Sequence, residues 1–291
     1  MNEIVVSFGP GGHLSGTLTL PDGKPRPVAV LLCNAGVIQR IGPHRINVKL
    51  ARHLASQGFA VLRMDLSGQG DSQRSNSTLG FEEQAVADLR AGMDHVERLA
   101  GTRLFALAGI CSGAHHGLST ALADARVAAL WMLDGYAYPT PRTLRVRMAR
   151  QLEIAPVETV SRWLMKPARG LVDALARPFN AGPTDLQAGA SHPTPAKEQF
   201  AKIIGTLVQR GVHLQVVYTR SMFWQYNHES QWRDAFAEHG AVARVACDYM
   251  PEMDHTVTSL DAQRTMIASV QRWLDSMVLQ PPAAAAGANP A

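Results

Sequence analysis

Short apolar runs alternate along the chain with longer stretches in which apolar residues recur at helical spacing. Residues 4–8 and 14–20 flank Gly9, Pro10, Gly11 and Gly12 and read as an opening hairpin. Residues 28–33 are an unbroken apolar run of the kind found in buried strands, and residues 60–64 read as the next such strand. Between them Val48, Leu50, Ala51 and Leu54 set a helical rhythm over 46–57, which Gly58 ends. Residues 81–99 predict a long amphipathic helix. A strand at 104–108, an Ala-rich helix at 112–123 and a strand at 127–133 follow. The rhythm then breaks over 137–205, which is rich in proline and short helical pieces, and resumes as strand 214–219, helix 230–239, strand 243–249 and helix 260–277. No internal repeat is visible.

Strands that alternate with helices predict a mostly parallel sheet of eight strands with helices on both faces. The expected organisation is a core of two parts, 1–136 and 206–279, with a helical cap, 137–205, inserted after strand 6. The Pro/Ala-rich residues 280–291 are expected to be a disordered tail.

One turn carries reactive chemistry. Strand 104–108 runs through Gly109, Ile110, Cys111, Ser112 and Gly113 into a helix. This is the layout of a nucleophile elbow, whose usual pattern is Gly-x-Ser-x-Gly. Such a turn needs small residues two before and two after its centre. Gly109 and Gly113 meet that need only if Cys111 is the centre; centring on Ser112 would put Ile110 where a small residue is required. Negative charge is favoured at a helix N-terminus, and a thiolate is a strong nucleophile toward esters and thioesters. Ser112 is then expected to lend its backbone N–H to an oxyanion hole. Cys33 and Cys247 lie inside strand runs and read as core thiols.

His255 follows the last predicted strand in the loop Pro251, Glu252, Met253, Asp254, His255, which makes it the expected general base. The acid is less direct, because no carboxylate stands near the end of strand 214–219. Asp134, at the end of the preceding strand, is the first choice, with Glu229 and Asn227 as alternatives; Asp134 also suits a turn-capping role beside Gly135. The second oxyanion donor is expected from the loop after strand 28–33, as the N–H of Gly36 or Val37. His115, one turn after Cys111, is expected to line the pocket, and His116 to pack or face solvent. Arg40, His44 and Arg45 lie beside the oxyanion loop, where Arg45 in particular would hold an anionic group of a substrate or cap a loop.

With these residues in hand, the sequence resembles a known family. Asp65 to Ser72 is similar to the Asp-x-x-Gly-x-Gly-x-Ser turn of serine-aminopeptidase-like α/β-hydrolases. Residues 39–45 together with 109–114 resemble the exosortase-A-system-associated hydrolases. The resemblance covers most of 28–135 and 245–275, not the cap, and it implies an α/β-hydrolase fold and hydrolase chemistry. The departure from the pattern is the missing acid after strand seven.

Bulk properties narrow the partners. The chain has 291 residues, 46% of them apolar, enough for one well-packed core. A net charge of +4 is too weak a bias to argue for nucleic acid. No run of apolar residues is long enough to span a membrane, the N-terminus has no secretory pattern, and three unpaired cysteines suit a reducing compartment, so a cytoplasmic protein is expected. No cofactor or metal is implied. The basic bias is concentrated in 141–170, where Arg142, Arg145, Arg147, Arg150, Arg162, Lys166 and Arg169 face two acids, Glu153 and Glu158. That cluster would attract a carrier-protein- or CoA-bound acyl group, or it is simply a solvated helix face. Trp163, Leu164, Met165, Leu171 and Leu175 would line an acyl tunnel or pack the cap itself.

The expected function is a cysteine-dependent esterase or thioesterase working through an acyl-enzyme. The alternatives are an acyltransferase or cyclase, which passes the acyl group to an amine or alcohol, and a non-catalytic binding module, against which the matched Cys111 and His255 argue.

Overall fold

The computed structural model describes residues 1–154 and 194–279. Its strands are β1 (Asn2–Phe8), β2 (Leu14–Leu20), β3 (Val28–Cys33), β4 (Val61–Met64), β5 (Leu104–Ile110), β6 (Val127–Leu133), β7 (His213–Thr219) and β8 (Ala246–Met250). The helices are α1 (Ile46–Ser56), α2 (Phe81–Ala100), α3 (Ser112–Ala123), α4 (Pro141–Ile154), α5 (Lys197–Gln209), α6 (Gln231–Ala235) and α7 (Leu260–Leu279).

The strands form one eight-stranded sheet in the order β1-β2-β4-β3-β5-β6-β7-β8. β2 pairs antiparallel with both β1 and β4. From β4 to β8 every pairing is parallel. Parallel strands are covered on both faces, so their sequences lose the apolar/polar alternation; all seven residues of β6 and all six of β3 are buried. One face packs against α2, α3 and α5 through Leu89, Met93, Leu118 and Ile204. The other packs against α1 and α7 through Leu50, Leu54, Met266, Val270 and Trp273. The expected eight-stranded, mostly parallel sheet with helices on both faces is therefore present.

Three local expectations change. The helix expected over 230–239 stops at Ala235, because Phe236 leaves helical geometry and is buried beside Trp232, at 4.7 Å between ring centroids. The strand expected from 243 begins at Ala246, because Val242–Arg244 winds into a 3-10 turn first. In the proline-rich segment, α4 is continuous for fourteen residues. Pro141 costs its first turn nothing there, since an N-terminal N–H has no partner within the helix. Thr140 and Thr143 close that end reciprocally: the Thr140 amide donates to Thr143 Oγ1 (3.0 Å) and the Thr143 amide to Thr140 Oγ1 (3.2 Å).

Most of the cap expected over 137–205, including Arg162, Lys166, Arg169 and the apolar residues from Trp163 to Leu175, lies outside the described residues, as does the expected tail. At the described end of that span, α5 is anchored in the core by Phe200, Ala201, Ile204 and Leu207. Among the described residues no helix is long and apolar enough to cross a membrane. The parallel strands all point their carboxyl ends to one edge of the sheet, where the loops after β3, β5, β6, β7 and β8 converge. That edge is where open α/β sheets bind ligands.

Candidate active site

The elbow is built by steric exclusion. Cys111 sits between β5 and α3 with φ 55° and ψ −120°, a strained conformation for a residue with a side chain. Its amide donates to Leu133 O at 2.9 Å, which ties the turn to the end of β6. A Cβ at Gly109 would lie 2.3 Å from Gly113 C and O, and one at Gly113 would lie 2.6 Å from the carbonyl oxygens of Cys33 and Asn34. Gly109 thus lets α3 fold back over the end of β5, and Gly113 lets it nest against β3. The Cys111 thiol is partly accessible. Burial pushes the thiols of Cys33 and Cys247 up to about 12, and Cys247 also bonds Tyr226 Oη at 3.2 Å.

His255 reaches this turn from the loop after β8. Its Nδ1 lies 2.8 Å from Asp134 Oδ2, and the same ring interacts with the Cys111 side chain. Burial pulls the imidazolium down, but the bonds and negative charges of Asp134 and Cys111 outweigh it and raise its pKa to about 10. The loop is held in two places. The His255 amide donates to Ser221 Oγ at 2.9 Å. Asp254 accepts the Thr258 amide (2.9 Å) and the hydroxyls of Thr256 (2.8 Å) and Thr258 (2.7 Å). Burial opposes ionisation of that carboxyl, yet these bonds hold it down at about 2. Val257, fully buried, takes φ 53°, an outlier for a β-branched residue.

Asp134 is fully buried at the end of β6, also at positive φ (51°). The Thr219 amide donates to its Oδ1 and the Thr219 hydroxyl to its Oδ2, both at 2.7 Å. The carboxylate therefore stands on the strand before the usual one, and the last residue of β7 holds it in place. The alternatives go elsewhere. Asn227 is buried and donates to Thr143 O at 3.1 Å. Glu229 is exposed on a surface groove with Arg142, Ser230 and Arg233.

The loop after β3 faces the elbow through Gly36, at φ 52°, whose amide donates to Ser112 Oγ at 2.6 Å. Val37 is 80% exposed. Asp65 anchors this loop from beneath. It is fully buried and accepts the Arg40 amide (2.6 Å), the Asp71 amide (3.1 Å) and the Arg40 guanidinium, which also binds Asp71 at 2.7 Å. A Cβ at Gly70 would lie 2.5 Å from the Asp65 carboxyl, and Ser72 Oγ donates to Asp65 O at 2.8 Å. The Asp-x-x-Gly-x-Gly-x-Ser turn is thus a clamp on the loop after β3. It also commits Arg40 to the clamp rather than to a substrate anion. Arg45 is exposed at the head of α1, with φ 60°. His115 stacks on Tyr136 at 3.9 Å, and His116 is buried 3.5 Å from Glu82. Thr219 and Ser221 are parts of this arrangement that no motif marked, and Arg40, marked as a candidate anion holder, is here a partner of Asp65. Their roles rest on contacts between residues far apart in sequence.

The family model described as "Alpha/beta hydrolase family" matches residues 42–277. The chain belongs to the alpha/beta hydrolase family. Solved α/β hydrolases share the fold across nearly the whole chain. A putative α/β hydrolase of unknown function from Agrobacterium tumefaciens aligns with TM-score 0.55 and 13% identity, covering 97% of this chain and 98% of that one. A serine hydrolase without a lid from Xanthomonas campestris aligns with TM-score 0.54 and 15% identity, covering 95% of each chain. A thioesterase domain from the curacin biosynthetic pathway aligns with TM-score 0.53 and 15% identity, covering 93% of this chain and all of that one. No curated protein matches the sequence.

Proposed function

We propose that this α/β hydrolase is a cysteine-dependent esterase or thioesterase with Cys111 as nucleophile, His255 as general base and Asp134 as the acid that orients it. The observation that carries the reading is the continuous chain from Cys111 through the His255 ring to Asp134, closed by the 2.8 Å bond between Nδ1 and Oδ2. With Nδ1 committed to Asp134, the other ring nitrogen is left for the thiol. The sulfur attacks the acyl carbonyl, and the charge on the carbonyl oxygen falls between the Ser112 amide and the Gly36 loop. Protonated His255 gives its proton to the departing alcohol or thiol, and the acyl group stays on Cys111. The neutral imidazole then takes a proton from water, and the resulting attack releases the carboxylic acid and restores the thiol.

The resemblance of residues 39–45 and 109–114 to exosortase-A-system-associated hydrolases supports the same chemistry. Exposed Arg45 and the basic face of α4 suit a substrate that carries an anion away from its ester, such as a carrier-protein- or CoA-bound acyl group.

Intact-mass spectrometry tests this directly. With a panel of acyl thioesters the wild type should gain one acyl mass on the peptide that contains Cys111, and Cys111→Ala should gain none and turn nothing over. Iodoacetamide should label Cys111 ahead of Cys33 and Cys247. An acyl mass that persists in Cys111→Ala would overturn the reading. An added amine that takes the acyl group faster than water does would mark the enzyme as a transferase.

A further inference from the structure

The Ser112 side chain accepts the amide that the loop after β3 would be expected to offer to an oxyanion. Gly36 donates its N–H to Ser112 Oγ at 2.6 Å, across 76 positions of sequence. Ser112 is 9% exposed and begins α3, so its backbone N–H belongs to the first turn, where no intrahelical acceptor exists. A seryl hydroxyl has one proton to give and two lone pairs to fill. The Gly36 amide fills one lone pair, and among the described residues no acceptor takes the Ser112 proton.

Resting on the cysteine-nucleophile reading above, we propose that the Ser112 hydroxyl is itself an oxyanion donor. The Gly36 amide then acts through it rather than directly. The geometry favours this over a blocked site for two reasons. The bond fixes Oγ with its proton free, next to the nucleophile and on the same residue as the amide donor. A donor that is already accepting a hydrogen bond is also polarised into a stronger one. Amide and hydroxyl of one residue then meet the same developing charge, and the loop after β3, clamped by Asp65, sets the hydroxyl's rotamer. Ser112 is thus a catalytic residue by its side chain as well as by its backbone.

The test separates the oxyanion from the nucleophile. Alkylation of Cys111 by iodoacetamide displaces iodide at a saturated carbon and builds no charge on oxygen, whereas acylation by a p-nitrophenyl ester does. In Ser112→Ala the alkylation rate of Cys111 should match the wild type, and the acylation rate should fall on the order of 100-fold, the usual cost of one lost oxyanion donor. Ser112→Thr keeps a hydroxyl and should recover most of the acylation rate. Acylation of Ser112→Ala at or above the wild-type rate would show that the hydroxyl merely obstructs the site and would overturn the proposal. An equal fall in alkylation and acylation would do the same, by showing a structural role for the serine. If the wild type itself is not acylated on Cys111, the nucleophile assignment fails, and that result is distinct from both.

Discussion

Thr219 donates both its amide and its hydroxyl to Asp134, each at 2.7 Å. The residue that ends β7, where an acid might have stood, thus fixes an acid carried by β6. The carboxylate is buried, and its two oxygens are filled by Thr219 and His255 alone among the described hydrogen bonds. It can therefore aim at only one imidazole nitrogen.

Thr219→Val should expose what that positioning is worth. The amide bond survives and the shape is nearly kept, so the fold should persist with a loss of about 1.5–3 kcal/mol, the range for a hydrogen bond to a charged group. The acylation rate should fall roughly 10-fold with little change in KM, because the variant loosens His255 rather than the substrate site. Thr219→Ser, which restores the hydroxyl, should recover most of that rate. Thermal melts and burst kinetics measure both effects, and a KM-only change would point away from positioning.

Asp134→Asn removes the main support for a charged His255. The His255 value in the folded protein, about 10, lies above the ordinary 6.5, so the folded state binds the proton more tightly than the unfolded chain does. The stability this contributes is full below about 6.5 and is lost as the pH rises through about 10. Wild type should therefore be more stable than Asp134→Asn at neutral pH, and the gap should shrink toward pH 10. In an NMR titration the His255 ring should move from about 10 toward its ordinary range in the variant. Turnover should drop by roughly 100-fold or more, as when a triad loses its acid. Glu229→Gln, on the exposed groove, should change little. A wild-type ring that already titrates near its ordinary value would refute the assignment.

The parts of this site that were legible in the sequence are those fixed by local rules. The apolar runs of β3, β5 and β6 follow from burial on both faces. Gly109 and Gly113 bracket Cys111 because the elbow allows no Cβ at either place. Asp134 was one of three candidates, and its contact with His255, at 2.8 Å, depends on the ends of β6, β7 and β8 coming together, which no local pattern announces. Thr219, Ser221 and the Ser112 hydroxyl were not legible at all. Each acts through a bond to a residue at least 34 positions away, and serine and threonine carry no pattern that announces such a partner. Arg40 was misleading for the same reason: beside the oxyanion loop it looked like an anion receptor, and only the buried Asp65 shows it to be already paired.

The elbow glycines should divide sharply by contact. Gly109→Ala would drive a methyl to within 2.3 Å of the α3 backbone at Gly113, and Gly113→Ala to within 2.6 Å of the backbone at the end of β3, so either would push α3 off the sheet. Each should cost about 3 kcal/mol or more, at the upper end for overpacking, and yield little soluble protein. Gly135→Ala sits in the same region, but its nearest neighbour, Ala114 Cβ, is at 3.8 Å, an ordinary contact. It should stay within about 0.5 kcal/mol of the wild type. Chemical denaturation of the three variants would check the ranking, and a stable Gly109→Ala would mean that the turn is looser than the structure holds it.

The basic face of α4 carries the last expectation, and the structure narrows which arginines can test it. Arg147 is partly buried, and burial lowers its pKa, so changing it would disturb packing. Arg142 donates to Ser230 Oγ at 3.2 Å and helps join α4 to the loop after β7. Arg145 and Arg150 are exposed, the latter paired with Glu153 at 3.0 Å in an arrangement that contributes little to stability. The double change Arg145→Glu, Arg150→Glu should therefore leave the melting temperature almost unmoved. If this face draws in an anionic acyl donor, KM for a CoA thioester should rise several-fold while a small neutral ester is turned over as before, since a neutral substrate is not steered. The difference should fade with added salt, because exposed charges are screened beyond roughly 10 Å at 0.1 M. Equal losses on both substrates would indicate damage to α4 instead, and no change on either would leave these arginines as a solvated helix face.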